Sequence, residues 1–147
     1  MRVLFVCTYN EGRSQIAEAI FNQASIINYS TSAATLGRNE GKILKSVNPR
    51  AVKFMADLGY KIGECRIKQV TPSMVEEADK IMVMAERETW PYYLETSGKV
   101  IFWSVPDFRS TDNQQADDTR YKMLVDNIKS LVFQTVTELE GRKTTST

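Results

Sequence analysis

The residues best suited to chemistry in this sequence are a cysteine, an arginine and a serine near its start. Arg13 stands six positions after Cys7, and Ser14 comes directly after it. A thiolate is a strong nucleophile, and the planar arginine side chain can bind two oxygens of one anion. A serine hydroxyl can add a hydrogen bond to the sulfur. Together these side chains suit nucleophilic attack on a tetrahedral oxyanion such as a phosphate ester.

The pattern around these residues predicts a strand, a tight loop and a helix that would position them. Residues 3–7 form an unbroken β-branched and aromatic run, typical of a strand buried on both faces of a parallel sheet. A polar loop over residues 8–12 follows, and apolar residues recur at helical spacing from Arg13 onward. We expect the loop amides and the helix dipole to surround an anion and to favour a thiolate there.

The composition excludes several other kinds of catalysis. The 147 residues include two Cys and no His. A Ser-His-Asp triad, a Cys-His dyad, a His-liganded zinc site and a phosphohistidine intermediate are therefore impossible, and two Cys cannot close a four-thiolate zinc site. We expect neither a metal nor a cofactor. Proton transfer must come from carboxylates, Tyr, Lys or an activated Cys.

The length and charge of the chain predict one domain over residues 1–147, with residues 142–147 as a frayed tail. The formal net charge of +1 gives no general reason to expect nucleic acid or a membrane as a partner. No segment approaches the ~20 apolar residues that span a bilayer, and no signal sequence is visible. Cys7 and Cys65 are too few and too distant for a secreted disulfide framework. We therefore expect a reduced, cytoplasmic protein.

Strands and helices alternate along the rest of the chain, which predicts an α/β fold. We expect a three-layer sandwich, in which a four-stranded parallel sheet is flanked by helices and a phosphate loop joins strand 1 to helix 1. The further predicted elements are strands at residues 29–33, 80–84 and 100–103, and helices at 48–59, 71–78, 86–94 and from about 121 to 141. Pro91 either lies in the first half of the helix at 86–94 or breaks it.

Two of these helices have well-defined ends. One begins at Asn48-Pro49 and stops before Gly59, which suits a left-handed C-terminal residue. The last helix ends at Gly141 and has the clearest apolar face in the chain. The buried stripe of the first is predicted to be Val52, Met55 and Leu58. The face of the last consists of Tyr121, Leu124, Val125, Ile128, Leu131, Val132, Val136 and Leu139.

The candidate nucleophile also has a purely structural interpretation. A cysteine at the end of a buried strand is most often a small core residue, and an arginine six positions later can occur by chance. Three features favour the functional interpretation: the position at the strand end, the small polar loop with Gly12, and the helix that starts at Arg13.

Residues 6–14, Val-Cys-Thr-Tyr-Asn-Glu-Gly-Arg-Ser, resemble the phosphate loop of the low-molecular-weight protein tyrosine phosphatase superfamily, which includes thioredoxin-coupled arsenate reductases. Residues 15–19, 32–35 and 48–59 extend the resemblance over most of the chain. It implies the same four-stranded parallel fold, with Cys7 as nucleophile and Arg13 as the residue that binds the phosphoryl oxygens. The residues expected to bind substrate are Thr8, Tyr9, Asn10, Glu11, Gly12 and Ser14.

Asp107 is the candidate general acid. It follows the predicted fourth strand, so it emerges at the same edge of the sheet as Cys7. An aspartate in this loop, usually followed by Pro, is the general acid of the family. Here Asp107 is preceded by Pro106 and followed by Phe108. Without the resemblance, an aspartate that caps a turn would be the simpler interpretation.

Glu11 and Tyr9 depart from the family pattern. A carboxylate at position 11 would repel a phosphate dianion if it pointed across the mouth of the site, although it could also pair with a cationic substrate group. Pointing outward, it would cost little. Tyr9 could flank an aryl leaving group. The same idea extends to Trp90, Tyr92 and Tyr93, for which packing on a helix or at the surface is the simpler interpretation.

The expected function is a cysteine-dependent phosphatase that hydrolyses phosphate monoesters, above all protein phosphotyrosine, through a thiophosphate intermediate. An arsenate reductase using an external thiol and a catalytically weak relative that binds phosphate or a phosphoprotein are the two alternatives. Residues 82–87 lack the resolving cysteines of the reductase branch, and Cys65 alone cannot form a three-thiol relay. The expected partners are a phosphorylated protein or small phosphate ester, with inorganic phosphate or arsenate as oxyanion ligand.

Overall fold

A parallel sheet of four strands forms the centre of the molecule, and helices cover both of its faces. The computed structural model describes residues 1–107 and 111–141; the tail expected at 142–147 lies outside them. The strands follow the order β2-β1-β3-β4, and each neighbouring pair is parallel. This confirms the predicted fold class. The strands are β1 (Arg2–Cys7), β2 (Tyr29–Ala34), β3 (Lys80–Val83) and β4 (Val100–Phe102).

The helices form largely where the periodicity and the capping residues predict them. The Asn48 side chain accepts a hydrogen bond from the Ala51 N–H at the start of α3, and Gly141 ends α6 in the left-handed region with φ 64°. The helices are α1 (Arg13–Ala24), α2 (Leu44–Val47), α3 (Pro49–Asp57), α4 (Pro72–Glu77), α5 (Tyr92–Glu95) and α6 (Gln114–Glu140), with a 3-10 turn at Arg87–Thr89.

Strand β1 is buried on both sides, as its unbroken apolar run predicts. Val3, Phe5 and Cys7 belong to the core formed with α1, α3 and α6. Leu4 and Val6 belong to a second core with α4 and α5. Successive side chains of a strand point to opposite faces, so one central strand serves both layers. The Cys7 side chain consequently lies on the α1 and α6 side of the sheet.

The helix predicted over residues 86–94 is broken at Pro91, which is one of the two possibilities that this proline left open. The chain forms the 3-10 turn and then the short helix α5, with Pro91 between them. Proline has no N–H to donate, and it forces the preceding residue out of the helical region. Trp90 is accordingly extended, with φ −71° and ψ 128°.

The predicted burial of Leu58 is wrong. Leu58 follows the last residue of α3 and is 49% exposed, because the chain turns there at Gly59 with φ 95°. Ala51 and Met55, four residues apart on one face of α3, are fully buried instead.

The carboxyl ends of the strands meet at one edge of the sheet, where the loops remain attached to one another. Met84 N–H donates to the Val6 carbonyl at 2.7 Å, and Trp103 N–H donates to the Val83 carbonyl at 2.9 Å. These bonds continue the parallel pairing past the ends of β3 and β4. The segments leaving both strands are therefore held next to the loop that follows Cys7.

Neither a membrane span nor a metal-binding cluster is found in the described residues. None of their helices is both long enough and apolar enough to cross a bilayer. Residues 1–107 and 111–141 also contain no group of three or more Cys, Asp and Glu side chains placed to hold a metal ion.

Candidate active site

A pocket of about 230 Å³ opens where β1 ends. It brings together Cys7, Arg13 and Asp107, which are the predicted nucleophile, oxyanion-binding arginine and general acid. Tyr9, Glu11 and Gly12 also line it, as expected for the loop. The residues that the sequence did not assign to the site are Arg38, Val47, Asn48, Tyr121 and Leu124.

The Cys7 sulfur receives hydrogen bonds from the loop that follows it. The backbone N–H of Asn10 donates to Sγ at 3.3 Å, and Ser14 Oγ lies 2.9 Å from Sγ. Cys7 is only 2% exposed, so little water competes for these contacts. Hydrogen bonds to sulfur stabilise a thiolate relative to a thiol. The predicted contact between Ser14 and the sulfur is therefore present.

The side chain of Asn10 directs the Ser14 hydroxyl toward the sulfur. Asn10 Oδ1 accepts from the backbone N–H of Lys68 at 2.9 Å, and a backbone N–H can only donate, so the amide orientation is fixed. Nδ2 then donates to Ser14 Oγ at 2.7 Å and to Ser32 Oγ at 3.0 Å. Because the Ser14 oxygen accepts from Asn10, its own proton is available to Cys7.

Three of the predicted substrate-binding residues lie behind the pocket instead of lining it. Thr8, Asn10 and Ser14 are buried, and their side chains hold the loop in shape. Asn10 has φ 58°, a left-handed conformation that asparagine adopts more readily than most residues. This conformation turns the loop so that the Asn10 N–H points back to Cys7.

The first turn of α1 presents its backbone N–H groups to this end of the sheet. Gly12 occupies the N-cap and makes no side-chain hydrogen bond, and the first turn contains no acidic residue. Most helices satisfy these N–H groups with a capping side chain. Without one, and with the positive end of the helix dipole beside them, they suit an oxyanion.

Arg13 is almost fully buried and already bridges two loops. Its Nη1 donates to the Met84 carbonyl at 2.6 Å and to the Val105 carbonyl at 2.9 Å, which uses both protons of that nitrogen. Nη2 makes a long hydrogen bond to the Thr8 hydroxyl at 3.5 Å, so an oxyanion would be bound by Nε and by Nη2 beside that contact. Nη2 lies 3.5 Å from Glu86 Oε1 and 3.9 Å from Asp107 Oδ2, so two carboxylates flank the same guanidinium edge.

Glu86 is a site residue that the sequence did not single out. It follows β3, forms a hydrogen bond with the Thr8 hydroxyl and lies beside Arg13. Burial by itself raises the pKa of Glu86, but the hydrogen bond from Thr8 and the charge of Arg13 lower it more, so the net pKa lies below its usual value. The available signal was its position after a strand that pairs with β1, which becomes visible only once the strand order is known.

Glu11 lines the pocket, but its carboxylate is occupied by a neighbouring arginine. Arg38 donates to it from Nε at 3.1 Å and from Nη2 at 3.0 Å, and Asn39 Nδ2 adds a third hydrogen bond at 2.9 Å. The hydrogen bond to Glu11 also raises the pKa of Arg38. The Arg38 guanidinium stacks on Tyr9, 3.8 Å from the ring centroid. Arg38 therefore compensates the charge that the sequence places beside the phosphate loop.

Asn48 connects the loop to two helices. Its Oδ1 caps α3 and accepts from the Tyr121 hydroxyl at 3.3 Å, which leaves Nδ2 to donate to the Glu11 carbonyl at 2.7 Å. The sequence identified Asn48 as a helix cap but gave no sign of its contact with the loop.

The three other aromatic residues considered for the rim do not line the pocket. Trp90 Nε1 donates to the Ala85 carbonyl at 3.1 Å, and the Tyr93 hydroxyl donates to the Val70 carbonyl at 2.8 Å. Tyr92 is 82% exposed. Their positions agree with the packing interpretation.

Cys65 is a free thiol that does not line the pocket. Both cysteines are free, and Cys65 is partly buried against the larger core. Burial is the main cause that raises its pKa, and the nearby Glu18 raises it further. A thiol with a raised pKa is a poor nucleophile at neutral pH.

Strand β1 of the parallel sheet ends in a cysteine, and an uncapped helix and a buried arginine lie beside it. This arrangement is typical of α/β proteins that bind an oxyanion next to a thiol. Within that class, the family model for low molecular weight phosphotyrosine protein phosphatases matches residues 2–144, and the chain belongs to this family.

Individual proteins are similar to this chain in sequence or in fold. A probable low molecular weight protein-tyrosine-phosphatase, EpsP of Ralstonia solanacearum, is 39% identical over 82 residues. That alignment covers 56% of this chain and 54% of the relative, so the match spans about half of each protein. Vibrio vulnificus Wzb, solved in complex with benzylphosphonate, has 18% identity and a TM-score of 0.77 over 93% of this chain and 97% of its own.

A thioredoxin-dependent arsenate reductase from Corynebacterium glutamicum has the same fold. It is 20% identical, with a TM-score of 0.71, and the match covers 95% of this chain and 61% of that chain. Identities at this level indicate a shared fold and leave the reaction to be argued from the site.

Proposed function

We propose that this chain is a cysteine-dependent phosphatase that hydrolyses phosphate monoesters through a thiophosphate intermediate, in the reducing cytoplasm. The observation that carries the proposal is the meeting of three groups in one pocket: the Cys7 sulfur, the Arg13 guanidinium and the Asp107 carboxyl. Family membership supports it.

In the first step Cys7 attacks the phosphorus atom. A sulfur–phosphorus bond forms as the bond to the leaving oxygen breaks, and Asp107 gives its proton to that oxygen. Nη2 and Nε of Arg13, together with the N–H groups at the start of α1, would hold the other phosphoryl oxygens. Donors already in place stabilise charge in the transition state without rearrangement.

In the second step water hydrolyses the intermediate. The carboxylate of Asp107, now without its proton, accepts one from the water molecule as oxygen attacks phosphorus. The sulfur–phosphorus bond breaks, the thiolate is restored and inorganic phosphate leaves. No histidine is needed, because Asp107 carries the proton in both steps.

Protein phosphotyrosine is the substrate class we favour, with small aryl phosphates as surrogates. The family description and the Ralstonia relative both carry the phosphotyrosine assignment. Wzb binds benzylphosphonate, an aromatic ring linked to a tetrahedral oxyanion. In this chain Tyr9 lines the pocket, where its ring can contact an aryl group.

One assay separates this proposal from arsenate reduction and from binding alone. The wild-type protein is given para-nitrophenyl phosphate, a phosphotyrosine peptide and a matched phosphoserine peptide, and in parallel arsenate with glutathione or thioredoxin. We expect phosphate release from the two aryl esters, little from phosphoserine, and no arsenite. Arsenite formation without ester hydrolysis would replace the phosphatase by a reductase. Phosphate binding without any hydrolysis would leave only a binding protein.

Replacing Arg38 by glutamine should raise the KM for para-nitrophenyl phosphate, because the Glu11 carboxylate would then face the substrate dianion uncompensated. One unit charge at 4 Å in water is worth about 1 kcal/mol, which corresponds to about a fivefold change in KM. Adding Glu11→Gln to Arg38→Gln should return KM to about the wild-type value. Steady-state kinetics at low and high salt checks both effects.

The chain contains a matched control for this pair. Arg87 donates to Glu95 through Nε and Nη2 and stacks on the Trp90 ring, as Arg38 does on Glu11 and Tyr9, but it does not line the pocket. Arg87→Gln should leave KM unchanged. Equal KM values in wild type, Arg38→Gln and the double variant would show that Glu11 has no electrostatic effect on the substrate.

A further inference from the structure

The segment that carries Asp107 is anchored on both sides. Two residues before Asp107, the Val105 carbonyl accepts from Arg13 Nη1 at 2.9 Å. Four residues after it, Thr111 is held by Asp117: its N–H donates to Oδ1 at 3.1 Å and Oδ2 at 2.8 Å, and its hydroxyl donates to Oδ1 at 3.0 Å. An extended chain covers at most about 3.6 Å per residue, so Asp107 lies within roughly 7 Å of the Val105 anchor and roughly 14 Å of Thr111, and both contacts limit where its carboxyl can reach.

Asp117 is fully buried in the first turns of α6, an unusual place for a carboxylate. It pairs with Arg50 of α3 and, at 3.1 Å, with Arg120 of its own helix. Burial by itself raises the pKa of Asp117, but the hydrogen bonds from Thr111 and the pairing with Arg50 lower it more, so the group is held ionised. The buried carboxylate makes five contacts with three partners. Such a network fixes the positions of Thr111 and the two arginines relative to Asp117.

The other end of this network reaches the phosphate loop. Arg50 lies in the first turn of α3, next to Pro49, and the helix cap Asn48 donates to the Glu11 carbonyl at 2.7 Å. One helix end therefore touches the loop that follows Cys7 and also the residue that holds Thr111. The start of α3 therefore contacts both the loop that carries the nucleophile and the residue that anchors the segment of the acid.

We propose that Asp117 is a positioning residue for the general acid: by holding Thr111 against α3 and α6, it places the Asp107 carboxyl over the pocket that contains Cys7. This rests on the proposed role of Asp107 as proton donor. Asp117 does not line the pocket, and its contact with the acid is indirect, through Thr111.

The dependence of the rate on the leaving group distinguishes positioning from general stabilisation. A phenol that is a weak acid needs a proton as its bond to phosphorus breaks, whereas para-nitrophenol leaves more readily without one. A misplaced Asp107 therefore slows phenyl phosphate more than para-nitrophenyl phosphate. The value of kcat/KM is the correct measure, because it reports thiophosphate formation and excludes the later hydrolysis.

The test compares Asp117→Asn with Asp107→Asn as reference and with Asp118→Asn as matched control, since Asp118 is the exposed neighbour of Asp117 on the same helix. An asparagine nitrogen at position 117 would face N–H donors of Thr111 or Arg50. We expect kcat/KM for phenyl phosphate to fall about tenfold more than that for para-nitrophenyl phosphate, a smaller version of the Asp107→Asn pattern. Asp117→Glu should restore part of the difference. If Asp117→Asn does not fold, Thr111→Val serves for the same comparison, because it removes the hydroxyl that donates to Asp117 and keeps the backbone N–H contacts.

Each outcome decides the matter. A leaving-group effect in Asp117→Asn or Thr111→Val, absent in Asp118→Asn, supports the proposal. Equal losses for both substrates in these variants, while Asp107→Asn retains its leaving-group effect, overturn the positioning role and leave the phosphatase assignment intact. No leaving-group effect in Asp107→Asn itself would overturn the acid assignment, and the positioning role with it.

Discussion

Replacing Cys7 by serine should reduce the hydrolysis of para-nitrophenyl phosphate by about 10⁴-fold or more, to the level of a blank without enzyme. The serine oxygen would occupy the place of the sulfur, within reach of the Asn10 N–H and the Ser14 hydroxyl. Those contacts help a thiolate, but they cannot ionise a hydroxyl, whose acidity is far weaker than that of a thiol. Glu11 is the only acidic residue among loop residues 8–14, and Arg38 holds its carboxylate, so the loop offers no free base to remove that proton.

The same variant should still bind inorganic phosphate, because Arg13 and the start of α1 are unchanged. The variant has no turnover that phosphate could inhibit, so phosphate binding by Cys7→Ser is measured directly by calorimetry. Cys65→Ser is the matched control: its thiol lies outside the pocket, and turnover should remain at the wild-type value. Appreciable steady-state turnover by Cys7→Ser would contradict the assignment of the nucleophile.

Arg13→Lys should lower kcat/KM by about 10²- to 10³-fold, the range found when one donor to a developing oxyanion is removed. Lysine keeps the positive charge but has a single ammonium group. It cannot donate to the Met84 and Val105 carbonyls and also bind two phosphoryl oxygens. The loss should therefore appear in kcat as well as in KM, since both the bound phosphate and the transition state use the fork.

Arg13→Lys should also destabilise the fold. Met84 and Val105 would lose the donor that satisfies both carbonyls, and a buried acceptor without a partner costs about 1–3 kcal/mol. Chemical denaturation of wild type and variant measures this cost separately from the kinetics. Arg38→Lys is the comparison for loss of an arginine fork at the exposed rim, where little destabilisation is expected. An Arg13→Lys protein of wild-type stability would show that the two carbonyl contacts contribute nothing to the fold.

The fold was predictable because its longest elements have strong local signals. The unbroken apolar run of β1 and the regular apolar face of α6 each identify an element without any knowledge of its neighbours. The less predictable parts lie where one residue interrupts a pattern. Pro91 divides what the composition of residues 86–94 presents as one helix, and Leu58 falls just past the end of α3.

The candidate site was predictable only where its residues are close in sequence. Cys7, Arg13 and Ser14 lie on one strand, loop and helix, so local spacing was sufficient to bring them together. Arg38 meets Glu11 across 27 positions, and Glu86 meets Thr8 across 78. Such contacts depend on the strand order and on loop conformation, which no local pattern contains. Asp107 came from a resemblance, because a loop aspartate has no periodicity to mark it.

Arg13 has a structural role as well as its proposed role in binding an oxyanion. An arginine at this position is therefore weak evidence that a related sequence is catalytically active. Arg13 binds the loops after β3 and β4 together through Met84 and Val105, whatever the chemistry of the pocket. A descendant of this chain that no longer turned over any substrate would still lose stability if it lost Arg13. Cys7 does not join two loops in this way: its sulfur accepts from the Asn10 N–H within its own loop, and apart from that bond a small core residue could take its place at the end of β1. In a related sequence, loss of the cysteine therefore indicates loss of catalysis. A retained arginine is compatible with an active enzyme and with an inactive relative.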